Sequence, residues 1–317
     1  MTSPLPLPGA ATQVEQDYGF GRVVSEQHGY RLLNRDGSYN VRLENGSASS
    51  RILSYYTFLS ISWPKFFAIF AVIYLAVVEV FAFLYAAAGP GQLSGEMHSS
   101  EYLRAFFFSV HTLATVGYGN ISPVGTLANV IVTFESFASW TLFALFAGLI
   151  FARFSRPTAG IVFSKDAIIA PYGNGTAFEF RLVNSKCNPL FNVEALVVLS
   201  RFEQGDRGRE RKFHPLKLER DKVAFFPLNW TVVHAIDKDS PLWGWNKQML
   251  MGAEAEFFIL ITAMDDTYSQ QVNKRASYMA QEVEFGRKFK MMYQQEGNRM
   301  VLDLAKLDAT ESAKLPA

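Results

Sequence analysis

The residues of this chain best suited to chemistry are eight in a row, Thr112-Leu113-Ala114-Thr115-Val116-Gly117-Tyr118-Gly119. None is a strong acid, base or nucleophile. What they offer is backbone carbonyls and threonine hydroxyls. Such oxygens can replace the water shell of an alkali cation when successive carbonyls face a common axis. Gly117 and Gly119 tolerate the backbone angles that turn alternate carbonyls to one side. Val116 and Tyr118 then point away and brace the strand, and the Thr115 hydroxyl adds an oxygen at the inner end. One chain supplies one stripe of oxygens, so a closed cage requires four chains. In a random soluble protein, an isolated Gly-Tyr-Gly is better read as a turn. The surroundings must therefore decide.

Those surroundings are two long apolar runs. Phe66 to Ala88 has Glu79 as its one charge, and Ile121 to Ala152 has Glu135. Each exceeds the ~20 residues that cross a bilayer, which disfavours two buried helices of a soluble protein. Between them, Gly89-Pro90-Gly91 ends the first helix, and Ser99 and Ser100 are candidate N-caps with Glu101 in the first turn. Tyr102 to Leu113 then forms a helix too short to span, which makes it re-entrant. It aims its negative C-terminal end at the motif that follows. Pro123 opens the second span.

Arg22, Arg31, Arg35, Arg42, Arg51 and Lys65 precede the first span, and Arg153, Arg156 and Lys165 follow the second; only Arg104 lies between. The positive-inside rule places both termini in the cytoplasm. The start of the chain has no basic, apolar pattern of a cleavable signal. Four regions result. Residues 1–46 are a mostly irregular cytoplasmic arm. Residues 47–63, ending at Trp63 before Pro64, are a helix lying flat at the membrane surface. Residues 64–156 are the pore domain: outer helix 64–88, pore helix 100–113, filter 115–119 and inner helix 123–154. Residues 157–317 form a β-rich regulatory domain, with strands expected at 160–170, 176–184, 192–202, 213–219, 222–227, 230–236, 255–264, 277–285 and 299–304. A short helix is expected within Trp243 to Gly252. Short strands at this spacing indicate an antiparallel sandwich rather than a nucleotide-binding βαβ domain.

Composition narrows the function. The net charge is +1, which removes any bulk electrostatic case for nucleic acid. Cys187 is the lone cysteine, and the five histidines include no pair at i, i+4, so neither a disulfide framework nor a metal cluster is expected. No nucleophile–base pair marks an enzyme, so no enzymatic substrate and no cofactor are expected. The ligands expected are potassium ions, held at Thr115, Val116, Gly117 and Tyr118.

The motif resembles the potassium-channel filter, Thr-x-x-Thr-Val-Gly-Tyr-Gly. The stretches Ser62-Trp63-Pro64, Phe107-Phe108-Ser109-Val110 and Phe151-Ala152-Arg153-Phe154-Ser155-Arg156-Pro157-Thr158-Ala159-Gly160 look like the prokaryotic inward-rectifier potassium channels. The resemblance runs over roughly residues 30 to 305. It implies a homotetramer in the inner membrane, an immunoglobulin-like cytoplasmic domain, and gating by ligands or lipids. No span carries the periodic arginines of a voltage sensor. The resemblance also implies acids where this chain has His111, behind the filter, and Asn120, just after it. It puts Phe143 at the position that binds polyamines in strong rectifiers, so rectification is expected to be weak. Phe151 falls at the bundle-crossing gate.

Phe143 and Phe151 are further candidates for a hydrophobic constriction, with Gly148 between them as a bend. Packing against lipid or a neighbouring helix is the plainer reading of both. Glu79 and Glu135 read as hydrogen-bonded carboxyls between helices. Glu135 is also a candidate support for the filter, with Thr112, His111 and Asn120. Trp63, Lys65, Arg153 and Arg156 form a cluster able to meet anionic lipid headgroups, phosphoinositides among them, or simply to set topology. A membrane-anchored binding module and a two-span channel of another branch are the competing functions. The first has no use for the filter, and the second would carry a βαβ domain.

Overall fold

The computed structural model describes residues 18–19, 31–41, 55–95, 100–157, 159–186, 188–205, 208–226 and 229–316. Expectations on Arg22, His28, Arg42, Arg51, His98, Ser99 and Cys187, and on residues 47–54, lie outside these. The chain divides into two compact units, 43–156 and 1–42 with 157–317.

The first unit runs α1 (Tyr55–Ser60), α2 (Trp63–Ala87), β1 (Leu93–Ser94), α3 (Glu101–Leu113), β2 (Ser122–Pro123) and α4 (Thr126–Phe154). At 1.5 Å per residue, the 25 residues of α2 and 29 of α4 extend roughly 37 and 43 Å. Both exceed the ~30 Å hydrocarbon core of a bilayer. The 13 residues of α3 reach only about 20 Å. Pro64 sits in the first turn of α2, where its missing N–H leaves no bond unmade. The helix α4 begins three residues later than the proline signal implies. Pro123 instead belongs to a two-stranded ladder, Leu93 opposite Pro123 and Ser94 opposite Ser122, and Gly125 is the N-cap.

The second unit is an immunoglobulin-like sandwich of two five-stranded sheets. Its strands are β3 (Ile161–Phe163), β4 (Ala167–Tyr172), β5 (Gly175–Asn184), β6 (Leu190–Gly205), β7 (Gly208–Pro215), β8 (Lys222–Phe225), β9 (Asn229–Ile236), β10 (Glu256–Asp265), β11 (Gln270–Met279) and β12 (Val283–Phe285). One sheet has the order β11-β10-β6-β7 with β8 also on β6; the other has β12-β4-β5-β3 with β9 also on β5. Only β12–β4 is parallel within these sheets. Alternate residues of β9 are buried, as period two requires. The core is aromatic at its centre, where Phe178 of β5 and Phe257 of β10 stack at 4.2 Å. Gly173, φ +55, opens the two-residue β4–β5 turn, the position where a hairpin of this hand needs glycine.

Some expected strands take another form. The single strand over 160–170 is two, because the Ser164 hydroxyl accepts the Arg181 N–H at 3.1 Å and turns the chain. The strand over 277–285 is the end of β11, a 3-10 turn at Ala280–Glu282, and β12. The Met279 N–H donates to Glu282 Oε2 at 2.8 Å and closes that turn. The helix within 243–252 is shorter, α5 at Lys247–Gly252. Part of the arm is also more ordered than its polar composition implies. Leu32 and Leu33 are buried against Val198 and Phe258. Their N–H groups donate to the buried Glu256 carboxylate at 3.0 and 3.2 Å.

Candidate functional site

The short helix α3 is built to be held. The Ser100 hydroxyl accepts the Leu103 N–H at 3.3 Å and caps its start, and Glu101 complements the N-terminal dipole. Its flanks meet both long helices. The Tyr74 hydroxyl of α2 is 3.4 Å from the Val110 carbonyl. The Ser109 hydroxyl lies 2.5 Å from Glu135 Oε1 on α4 and 3.2 Å from the Val78 carbonyl on α2. The Tyr85 hydroxyl of α2 donates to Glu135 Oε2 at 2.6 Å. One turn on, the Ser139 hydroxyl donates to the Leu113 carbonyl at 2.6 Å. Glu135 and Ser139 on α4 thus meet Ser109 and Leu113 on α3 at matching i, i+4 spacing, two polar teeth of one zip. The other acid within a span, Glu79, accepts from the Tyr102 hydroxyl of α3. Both in-span carboxyls are therefore hydrogen-bonded between helices.

The filter residues follow directly. Thr115, Gly117 and Gly119 have φ of +55, +63 and +78, while Val116 and Tyr118 do not enter the left-handed region. Alternating backbone of this kind turns successive peptide carbonyls to the same side of the strand. Thr115 does so without a glycine's freedom, at a cost that the neighbouring structure must offset. Two bonds help. The Thr115 N–H donates to the Thr112 carbonyl at 3.0 Å, and the Val116 N–H to the His111 carbonyl at 2.9 Å. His111 itself stands edge-on to the Tyr118 ring, centroids 5.0 Å apart. Asn120 is exposed beyond the filter.

On α4, Phe143 and Phe151 are each 73% exposed. Eight residues set them about 80° apart around the helix. A side chain at Gly148 would meet nothing within 4 Å. At the far end of α4 the Arg153 guanidinium is held by two carbonyls and two rings. It donates to the Phe58 carbonyl at 2.5 Å and the Ile61 carbonyl at 2.7 Å, and lies over Trp63 and Phe66 at 4.4 and 4.8 Å. It joins α1, α2 and α4. Lys65 and Arg156 make no ion pair among the described residues.

The zip residues Tyr85, Ser109 and Ser139 were not singled out by the sequence. Their signal was available: a serine four residues after Glu135, and another on the apolar short helix, are polar groups that a membrane interior leaves to bond either their own helix backbone, as Thr133 and Thr141 do, or a neighbouring helix.

Comparison with known proteins bears on both units. Residues 66–156 match the ion channel family model, and residues 161–317 match that of the inward rectifier potassium channel C-terminal domain. The inward rectifier potassium channel Kirbac3.1 of Paramagnetospirillum magnetotacticum is 36% identical over 279 residues, 87% of this chain and 94% of that protein. The ATP-sensitive inward rectifier potassium channel 12 of Homo sapiens is 23% identical, covering 92% of this chain and 73% of that one. The inward rectifier potassium channel irk-1 of Caenorhabditis elegans is 24% identical, covering 90% of this chain and 58% of that protein. With its two membrane-length helices, its short helix and filter motif, and its β-sandwich, the chain belongs to the inward rectifier potassium channel family.

Proposed function

We propose that four copies of this chain surround a pore that passes potassium ions down their gradient. Carbonyls of Thr115, Val116, Gly117 and Tyr118, with the Thr115 hydroxyl, replace the ion's water, and Gly119 completes the strand. The observation that carries this reading is the positive φ at Thr115, Gly117 and Gly119 alone within 115–119. His111, Thr112, Asn120 and, through Ser109, Glu135 support the filter. Residues 1–46 and 157–317 are cytoplasmic, and 47–63 lies at the inner membrane face. Phe151, with Phe143 and a bend at Gly148, closes the inner end by dewetting. No enzymatic step is involved.

At the inner face, Trp63 and Arg153 brace the interfacial segment, and Lys65 and Arg156 face anionic lipid headgroups. Each cation near such a surface contributes about 1 kcal/mol. The test is flux from liposomes reconstituted with the full chain. Potassium uptake that barium blocks and sodium does not share is expected; equal sodium and potassium flux would sink the proposal. Added phosphoinositide should change the flux. If it does not, Lys65 and Arg156 only set topology.

A further inference from the structure

The filter has two ends, and the short helix holds only one of them. Thr115 and Val116 are bonded back to α3, but among the described residues no backbone hydrogen bond holds Gly117 through Asn120. What meets the chain beyond them is the loop after α2. The Gln92 carbonyl accepts the N–H groups of Val124 and Gly125 at 3.0 and 3.3 Å. Gln92 Oε1 accepts the Ala128 N–H at 3.2 Å, one of the first-turn donors of α4 that have no partner within the helix. Leu93 and Ser94 pair with Pro123 and Ser122, and the two serine hydroxyls are 2.9 Å apart. Gly95, φ +122, then lies so close to the filter exit that a Cβ there would sit 2.0 Å from the Asn120 carbonyl oxygen. Only glycine allows both that angle and that approach.

We infer that Gln92, Ser94 and Gly95 are positioning residues for ion selection: they hold the outer end of the filter at the carbonyl spacing a dehydrated potassium ion needs. This rests on the filter reading proposed above. The strut is anchored to α4 through Gln92, so it cannot drift while the helix stays. Functional constellations tolerate displacements of only about 0.5 Å. A methyl group 2.0 Å from the Asn120 oxygen must displace something by more than that.

The experiment compares potassium and sodium flux, with barium block and tetramer yield, for the unaltered channel and three variants in liposomes. Gly95→Ala should still assemble but lower the potassium-to-sodium ratio about tenfold or more, equivalent to ~1.4 kcal/mol of discrimination. Gln92→Ala with Ser94→Ala, which removes side-chain contacts without a clash, should lower it in the same direction. Gly91→Ala is the control. Gly91 also has positive φ, +82, but a Cβ there meets nothing within 4 Å. It tests backbone strain without filter contact and should keep the wild-type ratio. A Gly95→Ala channel that assembles with the wild-type ratio overturns the inference. If that variant does not assemble, the wild-type ratio in Gln92→Ala/Ser94→Ala overturns it instead, as does an equal loss in Gly91→Ala. A wild-type channel that itself fails to discriminate removes the filter reading, and this inference with it.

Discussion

Removing the Tyr85 hydroxyl should cost the pore unit stability by an amount that depends on Glu135. Glu135 is fully buried. Its two oxygens each receive one hydroxyl, from Ser109 at 2.5 Å and Tyr85 at 2.6 Å. Tyr85→Phe keeps the ring, which packs edge-on against Phe108 at 5.0 Å, and deletes only the donor. The carboxyl oxygen left behind has no water to turn to, and an unmade bond of this kind costs ~2 kcal/mol. Glu135→Leu strands the tyrosine hydroxyl instead; Ser109 can still donate to the Val78 carbonyl. In the double variant neither partner remains, so its loss should fall short of the sum of the single losses by ~2 kcal/mol. Glu135→Gln should be mild. Its amide can donate to Ser109 while its oxygen accepts from Tyr85. Unfolding of the detergent-solubilised channel in denaturant gives all four energies. Strict additivity of Tyr85→Phe and Glu135→Leu, or a loss in Glu135→Gln as large as in Glu135→Leu, would refute the coupling.

Three further outcomes are expected. Phe151→Ala should raise open probability in a flux assay, and an unchanged flux would remove the gate from that ring. Internal spermine should block only weakly, because Phe143 offers no charge where an acid would hold a polycation; strong block at that level would contradict the assignment. Glu179 tests the sandwich. Burial pushes its carboxyl from 4.5 up to about 6, against the pull of Arg181 and Lys288. The folded state therefore holds the extra proton, stability falls as pH rises from 4.5 to 6, and the full cost stands above that window. Glu179→Gln should raise the unfolding free energy of the chain at pH 7, by at most ~2 kcal/mol and less as solvent screens the site, which appears as a higher melting temperature. The gain should vanish at pH 4, and a gain that persists there would rule out this cause.

How much of this was legible in the residues follows from the range of each signal. The spans, the short helix and the filter are local patterns: an apolar run, a Ser–Glu start, a threonine and glycine repeat. Each carries its own physical reason within a dozen residues. The start of α4 was misplaced because Pro123 reads equally as a first-turn proline and as an edge-strand residue. The choice is made by Leu93 and Ser94, thirty residues back. Leu32 and Leu33 were lost in a polar arm for the same reason, since their anchor, Glu256, lies over two hundred residues on. Arg153 shows a different limit. Its charge and place near the membrane face were legible. That its two terminal nitrogens donate to Phe58 and Ile61 was not, because backbone carbonyls carry no signature in a sequence.

The hydrogen bonds also constrain where the inner helix can move. From Glu135 to Ser139, α4 is joined to α3 by directional contacts that do not survive a shift of about an ångström. Below Ser139 the neighbours of α4 are rings. Phe146 meets Phe66 at 6.0 Å and Phe70 at 4.7 Å, contacts that can slide and repack. Gly148 comes next, with open space where a side chain would be. At the end, Arg153 ties the helix to α1 again. If Phe151 is the gate proposed above, a helix held at Glu135 and Ser139 and again at Arg153 would open by bending near Gly148, carrying Phe151 with it while the contacts of Glu135 and Ser139 stay in place. The polar zip is thus as much a barrier to motion as a source of stability: Glu135 joins α4 to α2 and α3, and Glu79 joins α2 to α3.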